Sequence, residues 1–121
     1  DVEIGFACVM AGAAVVMMDR FDPAETLAIV PKERVTMFGQ VPAMFMLEMA
    51  LPAFRETDFS SVECIVWGGA SAPRPMLEAL SALADRIGAR LLTGYGATEM
   101  GGFVTFSRPE DDLDLLCKTA G

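Results

Sequence analysis

The stretch CIVWGGASAPRPMLEALSALADRIGARLLTGYGATEMGG, Cys64 to Gly102, decides the fold. Its opening residues Cys64-Ile65-Val66-Trp67 form a short apolar run of the kind a buried strand shows, and Gly68-Gly69 ends it. From Pro75 to Ile87 the apolar positions Leu77, Leu80, Leu83, Ala84 and Ile87 recur at spacings of three and four, which predicts a helix with one apolar face. Gly88 stands where the residue after a helix C-terminus belongs. Leu91 to Thr93 reads as the next strand and runs straight into Gly94-Tyr95-Gly96-Ala97-Thr98-Glu99. A strand, a helix and a strand joined by short loops make a βαβ unit, with parallel strands and a right-handed crossover.

The same alternation extends in both directions. Asp22-Pro23-Ala24-Glu25 puts Asp at the N-cap, Pro at the first helical position and Glu at the third, so a helix carrying Leu27 and Ile29 is expected, ending near Val30 before Pro31. Val35 to Phe38 is expected as a short strand closed by Gly39, and Pro42 opens a helix with Met44, Leu47 and Met49 that stops before Pro52. Further upstream, Val2 to Met10 suits a helix, and Ala13 to Met18, after Ala11-Gly12, reads as a buried strand of the continuous apolar type. Ala53 to Val62 is polar and turn-like, Phe103 to Phe106 is a last strand candidate, and the acidic run Glu110 to Asp114 is expected as a solvated loop. The fold class is therefore α/β, a largely parallel sheet with flanking helices in a flavodoxin-like layer.

Composition narrows the functions open to the chain. Its 121 residues suit one domain, while 53% apolar content and nine Met imply surfaces meant to be covered. With no initiator Met before Asp1, an internal fragment of a longer protein is the expectation, with no complete second domain. Seventeen acidic against nine basic residues give a net charge of −8, the wrong sign for a nucleic-acid partner. Cys8, Cys64 and Cys117 are far apart, which supports neither a disulfide framework nor a zinc site and fits a cytoplasmic setting. The uncharged run Ile4 to Met18 is shorter than the roughly 18 to 20 residues of a membrane span, so no transmembrane segment is expected. The absence of His excludes Ser-His-Asp, Cys-His and H-E-x-x-H chemistry within these residues.

Two glycine-rich segments remain to carry chemistry: Trp67-Gly68-Gly69-Ala70-Ser71-Ala72-Pro73 and Thr93-Gly94-Tyr95-Gly96-Ala97-Thr98-Glu99-Met100-Gly101-Gly102. Each follows a predicted parallel strand, so both should leave the sheet at its carboxyl edge, where open α/β sheets bind ligands. Glycine and alanine let a flat ligand approach the backbone, and Tyr95 offers a ring face that would suit an adenine. Thr98 brings a hydroxyl, and Glu99 a hard oxygen of the type that binds Mg²⁺ beside substrate phosphates.

Together the two segments resemble the adenylate-forming superfamily of acyl-CoA synthetases, luciferases and peptide-synthetase adenylation domains. The likeness rests on a G-G-A-x loop, Gly68-Gly69-Ala70-Ser71, and a Y-G-x-T-E signature, Tyr95-Gly96-Ala97-Thr98-Glu99. Arg20-Phe21-Asp22-Pro23, Arg34-Val35-Thr36 leading to Val41-Pro42, Asp58-Phe59-Ser60-Ser61-Val62 and Thr119-Ala120-Gly121 support it in the same order and spacing. The resemblance implies a fragment of a larger acyl-CoA synthetase-like domain. Gly69, Ala70 and Ser71 would line the adenine with Tyr95 and Gly96 beside it, and Thr98 would contact the α-phosphate region. Glu99 would hold Mg²⁺, and Trp67, Gly68 and Gly94 would lie toward the acyl group. Thr98 and Glu99 would be the catalytic pair. Ser71 stands where the family commonly has Pro, and Pro31 is a second departure.

The implied reaction is ATP-dependent. A carboxylic acid, a fatty acid in the first instance, is adenylated and passed to coenzyme A, with ATP, Mg²⁺ and CoA required and no general base needed. The family's Ser/Thr/Gly-rich phosphate loop with its Lys, and its C-terminal domain, are expected elsewhere in the parent chain as partners of this piece. Adenylation for another acceptor, or a non-catalytic α/β interaction module whose glycines merely make turns, are the alternatives. Trp67 reads equally as core or as acyl-pocket wall, and the Met37, Met44, Met46 and Met49 group as core or as an acyl tunnel.

Overall fold

Four strands, β1 (Met37–Gln40), β2 (Cys64–Gly68), β3 (Arg90–Ala97) and β4 (Gly102–Phe106), make one sheet in that order. They belong to a computed structural model that describes residues 2–119, with side chains from Gly5 onward. The pairs β1·β2 and β2·β3 are parallel, and β4 turns back antiparallel on β3. The helices are α1 (Val2–Met10), α2 (Pro23–Lys32), α3 (Pro42–Met49), α4 (Ala53–Glu56), α5 (Arg74–Ile87) and α6 (Leu113–Leu116). This is the α/β, largely parallel architecture expected.

Register explains where the core sits. Phe38 pairs with Ile65, and Gln40 with Trp67, which in turn pairs with Thr93, so alternation puts these side chains on one face of the sheet. There they meet Phe45 of α3 and Leu77 and Leu80 of α5, all essentially buried. Phe38 stands edge-on to Phe45 at 5.3 Å, and Phe59 packs between Phe38 and Phe54 at 5.9 and 5.3 Å, geometries that aromatic quadrupoles favour. The opposite face shows Met37 and Phe106 to solvent. Cys64 is buried, and burial pushes its thiol above the ordinary value, so it is no ready nucleophile.

Local signals explain the helices. Asp22 Oδ1 accepts from the N–H groups of Ala24 and Glu25, both at 2.9 Å, and starts α2 as its sequence implies. The C-cap of α5 is Gly88, left-handed as expected.

Several expectations need correction. Ala13–Met18 is not a buried strand: the segment is irregular and exposed from Ala13 to Met17. An apolar run signals a surface to be covered, but a strand needs a neighbouring edge, and none meets it among the described residues. Helix α2 does not stop before Pro31 but continues to Lys32; Pro31 falls in its last turn, and Glu33 N–H still reaches Ile29 O at 2.9 Å. The first sheet strand begins at Met37 rather than Val35. The polar stretch after Ala53 holds the short α4, and the acidic run is not only a loop, because Asp112 caps α6 by accepting from Leu115 N–H at 2.8 Å. The closing Ala120-Gly121 of the family resemblance lies outside the described residues.

A candidate nucleotide cleft at the carboxyl edge of the sheet

Gly68 and Gly94 are register partners at the ends of the parallel strands β2 and β3, so the two glycine-rich segments leave the sheet side by side. Between them lies a cleft of about 390 Å³. Trp67 and the turn Gly69-Ala70-Ser71-Ala72 form one wall, and Thr93-Gly94-Tyr95-Gly96 forms the other. The third side, Leu116 to Thr119, comes from the segment through α6.

The walls are held rigidly. Thr93, almost fully buried, donates from Oγ1 to Trp67 O at 3.0 Å, and its N–H donates to Ser107 Oγ at 2.8 Å. Ser107 N–H returns to Thr93 O at 2.8 Å. These bonds tie β2, β3 and the exit of β4 together directly beneath the cleft. Gly69 adopts φ +81°, a region that favours glycine, and a Cβ there would stand 3.3 Å from Val41 Cγ1. The turn that this glycine permits lines the cleft from Gly69 to Ala72. Tyr95 stands opposite, 55% exposed, its ring open to a ligand. Lys118 is the one charged residue among the described residues of the cleft wall.

The structure brings together Trp67, Gly69, Ala70, Ser71, Gly94, Tyr95 and Gly96. It does not bring in Gly68, Thr98 or Glu99. Thr98 and Glu99 lie in a single 3-10 turn, Thr98–Met100, just past β3 and exposed to solvent. Gly68 lies under a ring: a Cβ on it would stand 2.6 Å from Phe103 Cε1, and one on Gly94 would stand 2.8 Å from Phe103 Cδ1. Trp67 is a core residue, 3% exposed, as one of its two sequence readings had it, and it also lines the cleft.

Sequence reasoning missed three things. Tyr95-Gly96-Ala97 is not a free loop but the end of β3, paired to β4 with a bulge between Tyr95 and Gly96. The second glycine pair, Gly101-Gly102, followed by Phe103–Phe106, was the available hairpin signal. Phe103 over the glycines and the wall at Leu116–Thr119 come from non-local packing and left no local signal. Trp67 is both core and wall for the same reason.

A family match to "AMP-binding enzyme" covers residues 3–121. The chain belongs to this AMP-binding enzyme family. Among curated relatives, this AMP-binding chain is 32% identical over 115 residues to a methyl-dioxo-octahydroindenyl-propanoyl:CoA ligase of Mycobacterium tuberculosis, covering 95% of the chain and 22% of that protein. It is 35% identical over 99 residues to a feruloyl-CoA synthase of an Amycolatopsis species, covering 79% of the chain and 19% of that protein. The chain thus spans about a fifth of the length of the curated relatives it matches. Among solved structures, o-succinylbenzoate CoA synthetase of Bacillus subtilis, in complex with its acyl-adenylate intermediate, aligns with a TM-score of 0.77 at 29% identity over 99% of the chain and 23% of that enzyme. The same enzyme in complex with ATP and magnesium ion aligns with a TM-score of 0.70 over 90% of the chain.

Proposed function

We propose that the chain contributes nucleotide-facing and acyl-facing walls to an ATP-dependent acid–thiol ligase. The observation that carries this reading is the convergence of Gly69-Ala70-Ser71 and Gly94-Tyr95-Gly96 on one cleft at the carboxyl edge of the parallel strands. The chain is read as one part of a larger AMP-binding domain. The phosphate loop and C-terminal domain belong to the rest of the protein, and its setting is the cytoplasm.

Adenine fits between the Gly69–Ser71 turn and the Tyr95 ring, which excludes water from one face of the base. Thr98 and Glu99 lie in the short 3-10 turn just past the Tyr95-Gly96 wall. An exposed carboxylate there fits Mg²⁺, which keeps several waters and needs only one or two protein carboxylates beside substrate phosphates. When bound, the ion would neutralise phosphate charge. The substrate carboxylate forms a bond to the α-phosphorus, the bond to pyrophosphate breaks, and a thiol, coenzyme A, then displaces AMP from the acyl-adenylate. The protein's share is positioning and charge stabilisation, which asks for no general base.

The acid is taken to be apolar, fatty acids included. Relatives named for feruloyl and indoleacetate groups support a ring-bearing acid as well. The Phe103 ring over Gly68 and Gly94 supports an apolar lining on that side.

The test is steady-state kinetics of the full-length protein at saturating Mg²⁺. Glu99→Gln should lower kcat by roughly a hundredfold or more, because the lost interaction grows as charge moves to pyrophosphate. Tyr95→Ala should instead raise KM for ATP on the order of tenfold, since the base does not change during reaction. A near-normal kcat for Glu99→Gln across a Mg²⁺ titration would remove the metal role.

A further inference from the structure

Glu48 of α3 is completely buried, and among the described residues its one polar partner is Gln40, the last residue of β1. Gln40 Nε2 donates to both carboxyl oxygens, at 2.8 Å to Oε1 and 2.7 Å to Oε2. With the amide in this orientation, Gln40 Oε1 is buried and has no donor among the described residues. The charged residues on elements packed against α3 give no compensation: Glu25 and Lys32 of α2, Arg55 and Glu56 of α4, and Arg74, Glu78, Asp85 and Arg86 of α5 are all solvent-exposed. A buried carboxylate without a cation, beside a buried carbonyl without a donor, is a costly pair. One proton repairs both faults. After a turn of the amide, the Glu48 hydroxyl donates to Gln40 Oε1 while Nε2 keeps the other carboxyl oxygen.

We propose that Glu48 is a positioning residue that acts as an uncharged acid, pinning the end of β1 against the Gly69 turn, and that its ionisation loosens that turn. Gln40 pairs with Trp67 of the cleft wall, and the next residue, Val41, is the group that confronts Gly69. A shift at Gln40 therefore passes through one residue to the backbone proposed to face adenine. Burial pushes the Glu48 carboxyl up to about 7, opposed by the Gln40 hydrogen bonds, which puts the change near neutral pH. This inference rests on the function proposed above only for its kinetic arm.

The experiment uses the full-length protein with ¹³C-labelled Glu and ¹⁵N-labelled Gly, as wild type and as Glu48→Gln, whose amide can make the same pair without a charge. In the wild type the Glu48 carboxyl should titrate near neutrality, and the Gly69 amide should shift with the same midpoint; in the variant the Gly69 shift should vanish. KM for ATP should rise roughly threefold between about pH 6 and 8 in the wild type. In Glu48→Gln it should stay at the low-pH value, with the kcat ratio of the two proteins unchanged. A Glu48 carboxyl ionised throughout, or a Gly69 amide or ATP KM whose pH dependence survives in Glu48→Gln, overturns the proposal. Should the variant fail to fold, the wild-type titrations decide. Should the protein not use ATP at all, the ligase reading falls, and the two resonances still decide this one.

Discussion

At Gly96 there is no room for a side chain. A Cβ there would collide with Gly102 O and with the Cα of Phe103, both backbone atoms of the facing strand, which cannot swing aside as a side-chain tip can. Gly96→Ala should therefore separate β3 from β4 at the bulge and destabilise the protein by about 3 kcal/mol, at the upper end of overpacking costs, as measured by urea unfolding. Gly69 differs: its constraints are its own left-handed backbone and the Val41 side chain, whose Cγ1 would stand 3.3 Å from a Cβ and can give way as a backbone cannot. The repeated Gly in Gly94-Tyr95-Gly96 was legible as a ligand-facing signal, but sequence offered no means of separating a glycine that admits a ligand from one that admits a neighbouring strand. That distinction depends on β4, whose pairing includes a bulge.

At the scale of elements, the tie between α3 and β1 makes a prediction about stability. The Glu48 carboxyl is raised in the folded state from an ordinary value of 4.5 to about 7, so its contribution is full below about pH 4.5 and is lost as pH rises through about 7. The unfolding free energy of wild type, measured relative to Glu48→Gln, should fall by about 3 kcal/mol across that window and be level above it. Exposed Asp58 and Asp114, whose carboxyls are held below the ordinary value by the Ser60 and Arg74 hydrogen bonds respectively, work in the opposite sense at lower pH and cancel in the difference. Elements defined by local chemistry were readable: Asp22 capped α2, and the spacing of Leu77, Leu80 and Leu83 gave α5. The run Ala13–Met18 was not, because apolar content reports burial without naming the partner that supplies it. Glu48 escaped notice for the converse reason: a lone acid among Met and Leu reads as a solvated helix position until the fold closes over it.

At the scale of the whole molecule, the described residues expose large apolar side chains at Phe6, Val9, Met10 and Met17, the last at 86%. On the reading proposed here these surfaces, and the charge-bearing parts of the reaction, meet other segments of a full-length ligase. The isolated 121-residue chain should then release no pyrophosphate from ATP in response to added acid, whereas the full-length protein should; a coupled pyrophosphate assay with and without acid checks both. Carboxylate-dependent turnover by the isolated chain would show that the catalytic groups had been misplaced.

The antiparallel return of β4 also bears on the order in which the chain gains structure. Met37 and Cys64 are 27 positions apart and Cys64 and Arg90 are 26, whereas Gly94 and Phe106 are separated by only 12. Closing the shorter loop costs less chain entropy, by about 0.7 kcal/mol from the logarithmic dependence on length. Hairpins form in microseconds, while parallel pairings wait for their crossovers. The Tyr95 side of the cleft should thus be shaped early in folding, with the Gly69 side docking onto it later, and amide protection after a refolding jump should appear at Ser107, whose N–H donates to Thr93 O, before Ile65 and Val66.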